Sequence, residues 1–212
     1  MRRIILFGFL LCGLSALCFA KGSLELFGGL PLNWDKGTAY GQEAEVQMTS
    51  VSFGFGFVSP INERVSLGVR DELIIPQKLE GTIDGEKVTL GRSDYKSLMG
   101  MSVFIGPVIN LYSSKDGKAK IPLTLGMRWM WLSMSTEYAA IFGSQFGFAA
   151  GIGGEYHFNE KIYLFGRVMG YYDFFAMNTT TTAGYNGPVT TIDSGLVSSF
   201  GFTPNIGVGI TF

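Results

Sequence analysis

His157 is the only histidine in the chain, and it is the first place to look for acid–base chemistry, because imidazole titrates near neutral pH. It sits in Tyr156-His157-Phe158-Asn159, with no serine in an obvious dyad position, beside what reads as a short turn. A histidine satisfied in a lumen or at a rim is the simpler reading, so no catalytic residue is expected. Cys12 and Cys18 are the only cysteines, both within the first twenty residues, so the rest of the chain offers no disulfide and no thiolate metal site. No paired-carboxylate, phosphate-loop or metal-ligand spacing appears, and neither a metal nor another cofactor is expected. Gly151-Ile152-Gly153-Gly154 lacks the strand-to-helix context that a nucleotide would need. Asn178-Thr179-Thr180 matches a glycosylation sequon, yet reads more simply as the start of a polar loop running to Thr182.

Charges remain on the face opposite the bulky residues: Glu25, Arg70, Glu72, Arg128, Glu155, Arg167 and Asp173. An unpaired charge buried there is costly, whereas opposite charges brought together can share a hydrogen-bonded network. These seven, with His157 nearby, form the candidate site. Their chemistry is either a plug that holds an interior together or a charged constriction that selects among solutes.

Every element that carries them alternates with a period of two, the signature of a strand. The clearest case is the last. Leu196, Phe200, Phe202, Pro204, Ile206, Val208, Ile210 and Phe212 share one face, interrupted by Ser198, while Ser199, Gly201, Thr203, Asn205, Gly207 and Gly209 share the other. The same alternation recurs over residues 24–32, 51–57, 65–69, 99–111, 121–131, 146–158 and 162–174, which makes eight strands. Short connections fall at Ser59–Glu63, Tyr112–Lys120 and Asn159–Lys161. Longer ones fall at Asp35–Glu45, Pro76–Asp94, Ser133–Ala140 and Ala176–Ser194, and the turn signal Ile83-Asp84-Gly85-Glu86 predicts a hairpin inside the second of these. Two places disturb the pattern. Asp71 falls on the apolar face between Val69 and Leu73, which calls for a bulge or an early exit of the strand, and Val46 and Met48 lie on the opposite parity to Val51.

Composition says which face meets what. The chain is 47% hydrophobic and only 16% charged, against about 25% charged in an ordinary soluble protein. The face opposite the bulky residues is Gly, Ser, Thr and Ala with isolated charges, whereas a soluble barrel would carry Lys and Glu there. Tyr95, Tyr112, Trp129, Trp131 and Tyr156 lie near strand ends, where aromatic girdles meet the two membrane interfaces. The fold class expected is therefore all-β: a transmembrane antiparallel up-and-down barrel of eight strands, its apolar face in lipid and its charges inside. Glycines on the inner face would leave room for water between the charges.

Ahead of the barrel, Met1-Arg2-Arg3 is basic, Ile4 to Leu17 is almost wholly apolar, and Cys18-Phe19-Ala20 precedes Lys21. That is the form of a secretory signal peptide cleaved after Ala20. Residues 1–20 are thus expected to be the signal and 21–212 the barrel. Without Arg2 and Arg3 the chain has 14 basic residues against 17 acidic, a net charge of −3, with no basic stripe and no nucleic-acid partner expected.

The final strand, with Ile206, Val208, Ile210 and Phe212 at every second position, resembles the C-terminal signature of bacterial outer-membrane proteins. In size and strand number the chain resembles the OmpX, OmpA N-domain and OmpW families. The resemblance implies insertion in the outer membrane of a diderm bacterium, with outer-membrane lipid and, through those four residues, the barrel-assembly machinery as partners. Of the functions such a barrel can have, a small passive channel is expected first. The alternative is a plugged structural or surface-contact barrel acting through loops near Tyr40, Leu79–Val88 and Tyr185-Asn186-Gly187. Small solutes or surface ligands are the partners these readings imply.

Overall fold

The structure is a computed structural model that describes residues 22–39, 42–83, 86–137, 139–184 and 187–212. The expected signal peptide, its cleavage point before Lys21, and Tyr40, Asp84, Gly85, Tyr185 and Asn186 lie outside the described residues.

Ten strands follow one another: β1 (Ser23–Gly29), β2 (Leu32–Ala39), β3 (Gln42–Pro60), β4 (Val65–Ile83), β5 (Glu86–Gly91), β6 (Ser97–Ser113), β7 (Ala119–Ser135), β8 (Ala139–His157), β9 (Ile162–Gly184) and β10 (Gly187–Thr211). All pairings are antiparallel. β1 and β2 are one crossing interrupted at Leu30-Pro31, since both lie between β3 and β10. Proline has no N–H for a ladder, so the break falls where the ladder can spare a bond. Among the described residues β5 pairs only with β4, as the return of the hairpin expected after Leu79, with Leu79 opposite Leu90 and Gly81 opposite Val88. The remaining strands close an eight-membered ring when β1 meets β10, from Ser23 opposite Thr211 to Gly29 opposite Asn205. Closure removes the unpaired edges that hydrocarbon would not tolerate.

The short turns sit together at the end that also holds β1's start and β10's finish. Two are pinned by asparagine: Asn62 Oδ1 accepts from the N–H groups of Arg64 and Val65, and Asn159 Oδ1 from those of Lys161 and Ile162. The third is built on Ser114 and Asp116, with Gly117 at φ 71°, where a side chain would be strained.

At the opposite end the structure corrects the expected loops. Asp35–Glu45, Pro76–Asp94, Ser133–Ala140 and Ala176–Ser194 are mostly strand, because each hairpin continues past the apolar belt. Thr179–Thr182, expected as a polar loop, are strand residues. Thr180 opposes Thr191 and Thr181 opposes Thr190, with the latter two hydroxyls 3.1 Å apart. β-branched side chains favour extended backbone whether or not the segment is apolar.

The two irregular places also resolve. Asp71 carries no bulge: it opposes Phe55 on one side and Val103 on the other in continuous register, and keeps its outward parity. Its neighbours cover it to 5% exposure. β3 does not change phase either, because Met48 is buried inside the barrel on the same parity as Ser50 and Ser52. What changes there is the chemistry of the lumen, from polar to apolar. The bulge belongs to β4, where Gln77 is the extra residue between Pro76 opposite Ser50 and Lys78 opposite Thr49.

Outside, Leu26, Phe53, Ile105, Phe148, Ile152, Val168, Ile206, Ile210 and Phe212 are exposed, and they form part of a continuous apolar belt. A surface of this size and kind is stable only against hydrocarbon.

Candidate functional site

The inward face of the ring brings the isolated charges together at mid-height. Glu25 on β1 is completely buried and is the hub. Its Oε2 accepts from Arg70 Nη2 of β4 and, at 3.3 Å, from Arg167 Nη1 of β9. Its Oε1 accepts from Arg167 Nη2 at 3.2 Å and from the Tyr163 hydroxyl at 3.2 Å. β8 and β9 set Arg167 opposite Gly153, so that its Nη2 also reaches Glu155 Oε1 two residues along at 3.4 Å. Glu155 Oε2 in turn lies 3.4 Å from His157 Nε2, and the imidazole stacks on Tyr163 at 4.7 Å.

A second group lies further from the short turns. Arg128 Nη1 donates to Asp173 Oδ2 at 2.8 Å, its Nη2 reaches Met130 Sδ at 2.8 Å, and its guanidinium covers the Tyr171 ring at 4.1 Å. Glu72 accepts from Ser52 at 2.5 Å and from Ser102 at 3.4 Å. Inside the lumen the buried Arg70, Arg128 and Arg167 balance the buried Glu25, Glu72 and Asp173, while Asp71, also buried, faces outward. Opposite charges in equal number offset much of the cost of burying the six. Aromatic faces contribute as well: the Arg70 guanidinium lies 5.4 Å from the Phe27 ring centroid, and that of Arg167 lies 5.0 Å from Phe165. A desolvated contact of this kind is worth about 1–2 kcal/mol.

The inner glycines make this packing possible, and here the expectation of water-filled gaps is corrected. A Cβ at Gly209 would stand 2.0 Å from the Tyr163 ring, one at Gly54 2.4 Å from Phe27, and one at Gly151 2.2 Å from Met169. Each glycine is the hollow that a large neighbouring side chain fills. The lumen is therefore packed at mid-height and opens into a cavity at either end. The inner one, at the short turns, has a volume of about 910 Å³ and is lined by Glu155, His157, Lys120 and Tyr163 among others. The outer one has about 590 Å³.

Of the expected girdle, Trp129 and Trp131 stack on the outer surface at 5.1 Å, with Trp129 Nε1 donating to Ser144 Oγ at 2.6 Å. That pair covers a hydroxyl that would otherwise face lipid. Tyr112 and Tyr156 are exposed near the short turns, the latter edge-on to Phe158 at 5.4 Å. Tyr95 is a correction: it follows a 3₁₀ turn (Arg92–Asp94) and lines the outer cavity, because that turn folds it over the barrel mouth. Burial there pushes its hydroxyl above the usual tyrosine range, with the adjacent Asp94 adding to the effect. Trp34, missing from the sequence reading, stacks on Phe200 across the β2–β10 pair at 5.2 Å. Its place between Asn33 and Asp35 concealed its outward parity, since the strand was expected to end at Leu32. Asp35 was missed for the same reason. It lies on the inner face, where its Oδ1 accepts from Gln145 Nε2 at 3.3 Å and from Ser199 Oγ.

A closed ring of eight antiparallel strands, greasy outside and ionic inside, defines a transmembrane barrel of the outer-membrane type. Solved structures agree on the fold. The chain is similar to neisserial surface protein A (NspA), at TM-score 0.56 and 10% identity, covering 90% of this chain and 97% of that one. It is similar to the outer membrane protein OprG from Pseudomonas aeruginosa, at TM-score 0.56 and 14% identity, covering 92% and 98%. The N-terminal β-barrel domain of Pseudomonas aeruginosa OprF follows at 0.52 and 10%, covering 90% and 99%. No family model matches the chain, and no curated protein matches its sequence. The chain has the fold of the small eight-stranded outer-membrane β-barrels, and its outward face carries an apolar belt.

Proposed function

We propose that this barrel is closed to ions and works from its outer end, through the hairpins and cavity above the mid-height plug, without enzymatic chemistry. The observation that carries this reading is the clamp on Glu25. A carboxylate with no exposure, held by two arginines and a tyrosine from β4 and β9, ties three strands together across the lumen. Opening a path for ions would require both guanidiniums to leave their partner in a dry interior, which costs several kcal/mol. Planar-bilayer recording of refolded protein, verified as folded by heat-modifiable gel mobility, tests this. No unitary conductance is expected. Regular steps from the wild-type barrel that vanish on Arg128→Ala would establish the passive channel instead. The two cavities that approach the plug from either side favour that second reading.

The outward row Ile206, Val208 and Ile210 on β10, with Phe212 just past its end, is proposed as the segment that the assembly machinery reads. All four side chains are exposed, and β10 pairs with both β1 and β9. Replacing Phe212 with Ser would lower the folded yield in cells far more than refolding of purified protein into lipid.

A further inference from the structure

We infer that the outer cavity is a binding site for a small primary amine with an apolar body, its ammonium group seated on Asp35. This rests on the reading that the barrel works from its outer end, and it names the chemistry of the ligand.

The cavity, about 590 Å³, is within the size range of small-molecule sites, and it has the usual division into greasy walls and a few convergent polar groups. Met48, Leu79, Leu90, Leu132 and Met134 line it. This is the apolar patch of inner face that begins where β3 passes Ser50, above the ionic plug. Nothing in the plug's chemistry requires apolar side chains to face inward there.

Asp35, Gln145 and Tyr95 line the cavity too, beside further polar residues that include Lys36, Glu80 and Asn178. Asp35 is held by two neutral donors, Gln145 and Ser199, and both engage Oδ1. Oδ2 has no donor among the described residues. Of the nearby cations, Arg128 pairs with Asp173 at 2.8 Å and Lys36 with Glu45 at 2.5 Å, while Lys87, which lines a smaller cavity together with Asp35, forms no ion pair with it. Asp35 is therefore a carboxylate without a cationic partner among the described residues, at the floor of an apolar cavity. In two of the residues that line the cavity, Gln145 Oε1 and the Tyr95 hydroxyl are buried without a protein hydrogen-bond partner.

These atoms select the ligand. A carboxylate oxygen and an amide oxygen only accept, so the head group must donate more than one hydrogen. A primary ammonium has three N–H donors and a compensating charge. A quaternary ammonium has none, and a carboxylate or phosphate would meet Asp35 as a like charge. Asp193, also on the cavity wall, adds to the negative potential.

The experiment uses the folded barrel in zwitterionic lipid nanodiscs, titrated calorimetrically with three probes of one shape: 4-phenylbutylammonium, 4-phenylbutan-1-ol and 4-phenylbutanoate. Empty nanodiscs give the partitioning background. The ammonium is expected to bind saturably, one per barrel and at least tenfold tighter than the alcohol, with no binding of the carboxylate. Asp35→Asn should weaken the ammonium about tenfold or more and bring it level with the alcohol. Leu132→Trp, which fills the cavity and leaves Asp35 in place, should abolish binding of both. Equal affinities for ammonium and alcohol, unchanged binding by either variant, or heats no larger than those of empty nanodiscs would overturn the assignment. The charge series on wild-type protein decides the matter even if Asp35→Asn fails to fold. A conducting lumen would show in bilayer recordings and leave these titrations unaffected, so the two readings fail separately.

Discussion

Replacing Glu25 with Gln keeps the shape of the hub and removes its charge. In the wild type that carboxylate receives four hydrogen bonds, three from arginine and one from Tyr163, at zero exposure. Glutamine can still accept through one oxygen, but its amide nitrogen would face donors. Arg70 would lose its only ion-pair partner among the described residues, while Arg167 would retain Glu155 at 3.4 Å. Removing one member of a buried ion network typically costs about 3–5 kcal/mol, because the charge left behind is neither paired nor hydrated. That corresponds to a loss of about a hundredfold to a few thousandfold in the ratio of folded to unfolded barrel. Urea titration in phosphatidylcholine vesicles, followed by tryptophan fluorescence and gel mobility, would read the shift as a lower midpoint at unchanged slope. A triple variant, Glu25→Gln with Arg70→Met and Arg167→Met, should recover most of the loss, since both stranded guanidiniums are gone and the partly exposed Glu155 keeps His157 at 3.4 Å. If the single variant costs less than about 1 kcal/mol, or the triple is no better than the single, the network does not hold the lumen closed.

Gly209→Val puts a branched side chain where the Tyr163 ring now lies. Chemical denaturation should show a loss of about 1–3 kcal/mol, the usual cost of overpacking, and a retained midpoint would mean that the lumen has slack. Brominated lipids should quench the Trp129–Trp131 pair strongly, and shielding of that pair would contradict its outward face. In the turn at the inner rim, the Ser114 hydroxyl and then the Lys118 N–H hold the Asp116 carboxyl below the usual aspartate range. Its hydrogen-bonded turn is thus favoured at and above that range and lost as pH falls through the lowered value. Ser114→Ala should move the Asp116 titration upward by NMR, and an unmoved curve would refute the assignment.

Much of the barrel was legible because lipid makes a strict demand on parity. Every second residue from Ile162 to Phe174, or from Phe200 to Phe212, must be apolar if the ring stands in hydrocarbon, and no helix reproduces that pattern. Strand parity and the short turn at Asn159–Lys161 set Arg167 opposite Gly153, within reach of Glu155. The hairpins above the belt were hidden for the opposite reason. Once Thr179–Thr182 and Lys87–Leu90 leave lipid, neither face is obliged to be apolar, and polar strands read as loops. Trp34 and Asp35 fell in that blind zone, and so did the inward turn of Tyr95.

Amino-acid order alone was enough for the alternation, the number of crossings and, within the apolar belt, which side chains face lipid and which face the middle. Each of these is a property of one strand and its neighbours in sequence. Which charge meets which, that the glycines are hollows already filled, and that Asp35 has no cationic partner among the described residues depend on how far each strand slides against the next and on closure of the ring. Those contacts join residues as far apart as Glu25 and Arg167. No local preference encodes them, and the folded ring as a whole decides them.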